Sequence, residues 1–133
     1  MPSRTSSKAF LFSGLSTLLK LSLLFLALPT FARAQCEKKE TTIDLVDCWN
    51  AELKKADTEL NRVYQAALKK QQPPDAVKLR QAQRTWIGYR DAHCAAVSSL
   101  YKGGTIEPVI LAHCRLTLTQ QRTKEISDSY PAH

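Results

Sequence analysis

The stretch CAAVSSLYKGGTIEPVILAHC, residues 94–114, decides the architecture. Gly103-Gly104 lies at its centre, and glycine tolerates the left-handed geometry in which helices end. Cys94 stands nine residues before Gly103, and Cys114 nine residues after Thr105. If both flanks are helical, the chain folds back at the glycines. The two sulfurs then sit at matched depth, about 14 Å down the hairpin at a rise of 1.5 Å per residue. Facing side chains on adjacent helices reach the Cα separation that a disulfide requires.

Both flanks carry helical periodicity. Upstream, Leu79, Ala82, Trp86, Tyr89, Cys94, Val97 and Tyr101 form a drifting apolar stripe after a start at Asp75. Downstream, Thr105 is placed to cap a helix, with Glu107 favourable at its positive end and Pro108 tolerated in its first turn. Its buried side reads as Ile106, Val109, Ile110, His113, Leu116 and Leu118, running on towards Ile126, with Pro131 in a frayed tail. An earlier helix is marked by Leu53, Ala56, Leu60, Val63, Tyr64 and Ala67 at three- and four-residue steps. Thr41 followed by Asp44 resembles a capping pair for it, Glu52–Lys55 and Lys55–Glu59 are spaced as helix pairs, and Gln71-Gln72-Pro73-Pro74 ends it. Short links force neighbours antiparallel, so the expected fold is all-α: a small antiparallel three-helix bundle, up-down-up.

Four cysteines allow three pairings. The hairpin geometry favours Cys94–Cys114, which leaves Cys48, near the start of the first helix, for Cys36 in the segment ahead of it. Two disulfides fit an exported chain, and the amino terminus points the same way. Residues 1–34 hold Arg4, Lys8, Lys20 and Arg33 and no acidic residue, with an apolar core at Leu21–Leu28 and Ala32-Arg33-Ala34 behind it. These are the parts of a cleavable signal peptide, cut after Ala34. Lys20 breaks the apolar run below the length of a membrane span, so no stable membrane insertion is expected after cleavage. Gln35 ahead of Cys36 argues against lipidation. The expected organisation is therefore a signal peptide over 1–34 and one helical domain over 35–133, periplasmic or secreted.

The precursor carries 19 Lys+Arg against 12 Asp+Glu, but four of the basic residues leave with the signal. The remaining 15 against 12 give a formal charge of +3. Only pairs such as Lys38-Lys39, Lys54-Lys55 and Lys69-Lys70 remain, which read as solvated helix faces rather than a nucleic-acid footprint.

His93, Cys94, His113 and Cys114 are the residue types of a zinc site. Adjacent helical residues diverge by about 100°, however, and exported thiols oxidise. Without Cys-x-x-Cys-His, covalent haem is unsupported, so no cofactor is expected. A Cys–His nucleophile needs a free thiol that an even cysteine count withholds, and Arg90-Asp91 reads as an ion pair before a catalytic one. The chain is therefore not expected to be an enzyme.

One segment is unusually dense: Ala82-Gln83-Arg84-Thr85-Trp86-Ile87-Gly88-Tyr89-Arg90-Asp91-Ala92-His93-Cys94. Its plain reading is a central helix, with Trp86 filling the core and Gly88 admitting a neighbour. Its sharper reading is a partner-binding surface that includes Arg84, Tyr89 and Arg90. The turn Lys102-Gly103-Gly104 is a second candidate contact.

The run Gln83-x-x-Trp86 with Tyr89-Arg90-Asp91-Ala92-x-Cys94 resembles the motif of the LprI-like lysozyme-inhibitor family. Supporting matches are Cys48 with Glu52-Leu53, Glu59-Leu60-Asn61 with Tyr64, Gly103-Gly104, and Cys114 with Leu118-Thr119-x-x-Arg122 and Glu125-Ile126. The resemblance spans nearly all of residues 35–133. It implies a helical, exported bacterial-envelope protein that acts by stoichiometric protein binding, with a lysozyme as one partner, and with Gln83, Trp86, Tyr89, Arg90 and Asp91 mainly as the frame. The competing expectation is a periplasmic protein-binding, immunity or stress module that does not touch lysozyme. Lysozymes are typically strongly cationic, so +3 gives no overall steering. Inhibition would then rest on insertion of the Lys102-Gly103-Gly104 turn or on a local acidic patch. The oligomeric state is left open by the sequence.

Intact-mass measurement on the exported protein is expected to give an amino terminus at Gln35 and no lipid, with four alkylatable thiols only after reduction. A retained signal or a bound lipid would overturn the expectation of a soluble form.

Overall fold

Thr41 starts the first helix. Its hydroxyl oxygen accepts from the Asp44 amide at 3.1 Å, while the hydroxyl donates to the Asp44 carboxylate at 2.7 Å. The computed structural model describes residues 35–130, which fall within one compact unit, Gln35–His133. The expected signal peptide and Pro131 lie outside the described residues. Three helices follow in order: α1, Thr42–Lys69; α2, Pro73–Ser99; and α3, Glu107–Ser129. There are no strands among the described residues. The fold is all-α, a three-helix bundle with two disulfides.

Several boundaries differ from the sequence reading. Pro73, not Asp75, opens α2, because a proline at the first helical position loses no bond that the helix would have made. Ile106 stands at the amino-terminal cap of α3 without a side-chain cap, so Thr105 does not play that part. Glu107 reaches back instead, and its carboxylate accepts from the Gly103 amide at 3.0 Å. Gly103 has φ of 81°, the left-handed region that a side chain would strain. On α1, Lys55 pairs with Glu52 as expected, but Glu59 pairs with Arg62. That hydrogen bond holds the Glu59 carboxyl below its usual value. A depressed carboxyl contributes stability that is present above its unfolded value and lost as the pH falls. Both side chains are well exposed, so the contribution is small.

The buried residues of α1 are Trp49, Leu60, Val63 and Ala67. Those of α3 are Val109, Ala112, Leu116, Thr119 and Ile126. On α2 the buried stripe is Ala76, Leu79, Gln83, Cys94 and Ser98, with Trp86 and Arg90 half-buried between them. The expected apolar stripe is corrected here, since Ala82, Tyr89 and Tyr101 are exposed. Polar Gln83 and Arg90 take the inward positions, and a purely apolar count slides off the true face. Gly88 admits no neighbour, because a Cβ built there would meet nothing within 4 Å.

The core is in two parts. One cluster joins Cys36, Trp49, Val109, Ala112 and Leu116. The other joins Leu60, Val63, Ala67, Leu79 and Ile126. Early residues of α1 thus meet early residues of α3, and late meet late, so these two helices run parallel. They pack on each other far more than α1 packs on α2.

Cys94 and Cys114 are joined across the α2–α3 hairpin, and Cys36 is joined to Cys48. The Cα–Cα separation is 5.6 Å in each bridge. Cys36 and Cys94 are both fully buried.

The double variant C94A/C114A is expected to lose about 3 kcal/mol of unfolding free energy in the chain-entropy account of a 20-residue loop. Urea denaturation followed by circular dichroism measures it, and an unchanged midpoint would contradict the expectation.

Candidate functional site

Residues 83, 86 and 90 are separated by three and four positions and lie on one face of α2. That face meets both other helices at a polar seam. Arg90 Nη1 donates to Asp57 on α1 at 2.9 Å and to the Thr119 hydroxyl on α3 at 3.1 Å. Arg90 Nε donates to its neighbour Asp91 at 3.1 Å. Asp91 also lies 3.4 Å from Arg115 Nε on α3. Below this, Arg122 Nε donates to the buried Gln83 carbonyl at 3.1 Å, and Arg122 Nη1 pairs with Glu125 at 2.9 Å. Both guanidiniums rest over the Trp86 ring, 5.3 Å and 5.8 Å from its centroid. Each cation gains ring attraction as well as its hydrogen bonds.

The seam accounts for most of the dense motif. Gln83, Trp86, Arg90 and Asp91 all join α2 to its neighbours. Only 14% of the Arg90 side chain is exposed, and its Nε and Nη1 donors are engaged inside the bundle, which leaves little of it for an outside partner. Tyr89 faces outward at 54% exposure and stacks on His93, with ring centroids 5.5 Å apart. Arg84 is exposed on the same helix. Lys102, Gly103 and Gly104 are exposed at the far end. Tyr89 lies ten residues before the last residue of α2, about 15 Å along the helix, and Lys102 lies beyond that end. The candidate contact residues therefore do not form one surface.

The zinc-like quartet is spent elsewhere. Its sulfurs are bonded to each other, His93 stacks on Tyr89, and His113 meets the Trp49 ring edge-on at 4.7 Å. Among the described residues no cluster of His, Cys, Asp or Glu is arranged to hold a metal ion.

The end of the bundle that carries the glycine turn has features that periodicity does not reveal. Ile43 is 75% exposed, Leu100 80%, Tyr101 45% and Ile106 39%. Because α1 and α3 run parallel, the start of α1 lies beside the start of α3. A mainly apolar notch opens between them, lined by Thr42, Ile43, Val46, Asp47, Thr105 and Pro108. Charge is segregated as well. Asp44, Asp47 and Glu107 stand at the starts of α1 and α3, with Glu37 and Glu40 in the short segment that Cys36 ties to this end, against Lys38, Lys39 and Lys102, and the remainder of residues 35–133 carries the basic excess. A hint lay in Ile43 and Leu100, which fit no inward stripe.

Comparison with known proteins gives concordant findings. The family model described as Lysozyme inhibitor LprI matches residues 32–126. An uncharacterized protein of Rhizobium meliloti (strain 1021) is 32% identical over 106 residues, covering 70% of this chain and 76% of that protein. No solved structure matches.

Replacing Arg90 with alanine is expected to cost about 2–3 kcal/mol, because Thr119 loses its buried partner, Asp57 loses its cation and Asp91 keeps only Arg115. Arg90→Lys is expected to recover less than half, since an ammonium lacks the planar fork. Urea midpoints of both variants check this, and a lysine variant of native stability would contradict it.

Proposed function

The chain belongs to the lysozyme inhibitor LprI family, and from that premise we propose that it is an exported envelope protein that binds a lysozyme stoichiometrically through the glycine-turn end of its bundle. The segregation of charge carries this reading. The chain as a whole is basic, but the end formed by the α2–α3 turn and the starts of α1 and α3 has five carboxylates against three lysines. A cationic enzyme approaching that end meets complementary potential, which raises the encounter rate and orients the complex. Exposed Ile43, Leu100, Tyr101 and Ile106 supply apolar surface for a partner to bury there.

The same end suits obstruction of a cleft. The turn is short, and Gly103 lets the chain reverse without side-chain bulk. Beneath it, the Cys94–Cys114 bridge and the Gly103–Glu107 hydrogen bond limit its freedom. Preorganisation lowers the entropy lost on binding. Family membership and two disulfides fit a protein that works outside the cytoplasm. Export through residues 1–34 is part of the proposal. Among the described residues no helix is long and apolar enough to cross a membrane.

A second reading has an observation in its favour. The opposite end carries Lys69, Lys70, Lys78 and Arg80 against Asp75, which pairs with Lys78, a basic excess that suits an acidic partner in the envelope rather than a lysozyme. That protein would be an envelope-maintenance or immunity module.

Purified, disulfide-intact protein is expected to protect bacterial cells from lysis in a turbidity assay, saturating near one inhibitor per enzyme for at least one lysozyme type. Undiminished lysis by several lysozyme types would sink this reading. A non-lysozyme partner captured from envelope extract at sub-micromolar affinity would establish the second.

A further inference from the structure

We infer that the notch between the starts of α1 and α3 is an acceptor for a lysine or arginine side chain presented by a basic protein; the inference rests on the reading that the acidic end is the binding face. The walls are apolar. Ile43 and Val46 stand one turn apart on α1, and Pro108 closes the opposite side from α3. Three-quarters of Ile43 is exposed, so this wall is uncovered among the described residues. Asp47 lines the same notch, and no hydrogen bond or ion pair engages its carboxylate within the described residues. It is exposed, and Asp44 lies three residues away on the same helix face.

An apolar trough with a carboxylate at its rim matches one kind of side chain. Lysine and arginine lay their methylene stems on apolar surface while the charged head stays in water or meets an acid. A purely apolar residue would leave Asp47 without a partner, and an acidic one would meet Asp44, Asp47 and Glu107 as like charges. Helix amino termini ordinarily favour anions. Here Thr41 and Asp44 already answer the start of α1, and the charge of Glu107 in the first turn of α3 offsets that helix's dipole. The carboxylates therefore set the sign of the local potential. Charge complementarity thus commits the notch to a cationic side chain.

Two measurements test this, and they separate it from the inhibitor reading. The first is a 1H–15N chemical-shift titration of the intact protein with N-acetyl-arginine amide, with N-acetyl-glutamate amide as control. Arginine is expected to shift the amides of residues 42–47, 105–107 and 109 in the millimolar range, and glutamate is expected to shift none of them. Equal shifts with both, shifts elsewhere, or none at all would overturn the inference. The second is calorimetric binding to the most tightly bound lysozyme by the chain and by Ile43→Lys and Asp47→Lys. Both positions are exposed, so the fold is expected to tolerate them, and circular dichroism confirms it. Each variant is expected to weaken binding about tenfold, with Asp47→Lys also flattening the salt dependence. Native affinity in both variants would overturn the notch and leave the inhibitor reading standing. If no lysozyme binds but arginine amide still titrates the notch, the inhibitor reading falls and the notch stands.

Discussion

Arg90 carries a permanent positive charge into the seam where three helices meet, and the arrangement around it follows from keeping that charge satisfied. A guanidinium withdrawn from water costs several kcal/mol unless its donors find acceptors. Asp57 supplies one from α1, Thr119 one from α3 and Asp91 one from its own helix. Each acceptor has to arrive from a fixed direction, so the fork sets the register of all three helices at once. Apolar contacts alone would tolerate sliding by a turn, whereas a hydrogen-bonded fork does not. Trp86 completes the site by offering its ring to Arg90 and to Arg122, which in turn holds Gln83.

With the register fixed in the middle, the two ends are secured by different means. At the glycine-turn end the bundle relies on cross-links and on the cluster around Trp49. Cys36, itself part of that cluster, draws the segment ahead of α1 onto the core. At the other end there is no disulfide, and Leu60, Val63, Ala67, Leu79 and Ile126 pack around the Pro73 turn. A chain this small has a modest core, so covalent staples supply a real share of its stability. The stapled end is also the one that leaves Ile43, Leu100 and Ile106 in water. A surface that is apolar yet held rigid is what binding without large ordering costs requires. The proposed contact surface and the structural frame therefore occupy different parts of the same molecule. The motif residues hold the seam, and the glycine-turn end carries little of the motif beyond its glycines.

The sequence by itself determined the number of helices, their approximate ends and the bridge across the hairpin. Those features are local: proline and glycine stop helices wherever they stand, and Cys94 and Cys114 are equidistant from one turn. The family motif was equally legible, as a string of residue types. The burial stripe of α2 was only partly legible, because Gln83 and Arg90 face inward and no apolar periodicity registers them. What only the tertiary structure decided was long-range. Chain order suggests that consecutive helices are the closest partners, yet α1 packs chiefly on α3, which brings Thr42–Asp47 beside Thr105–Pro108. Neither the notch nor the gathering of carboxylates around it exists until those segments meet. Net charge sums over the whole chain and conceals how charge is distributed. Packing places charges in space, and the field that a partner meets depends on that placement.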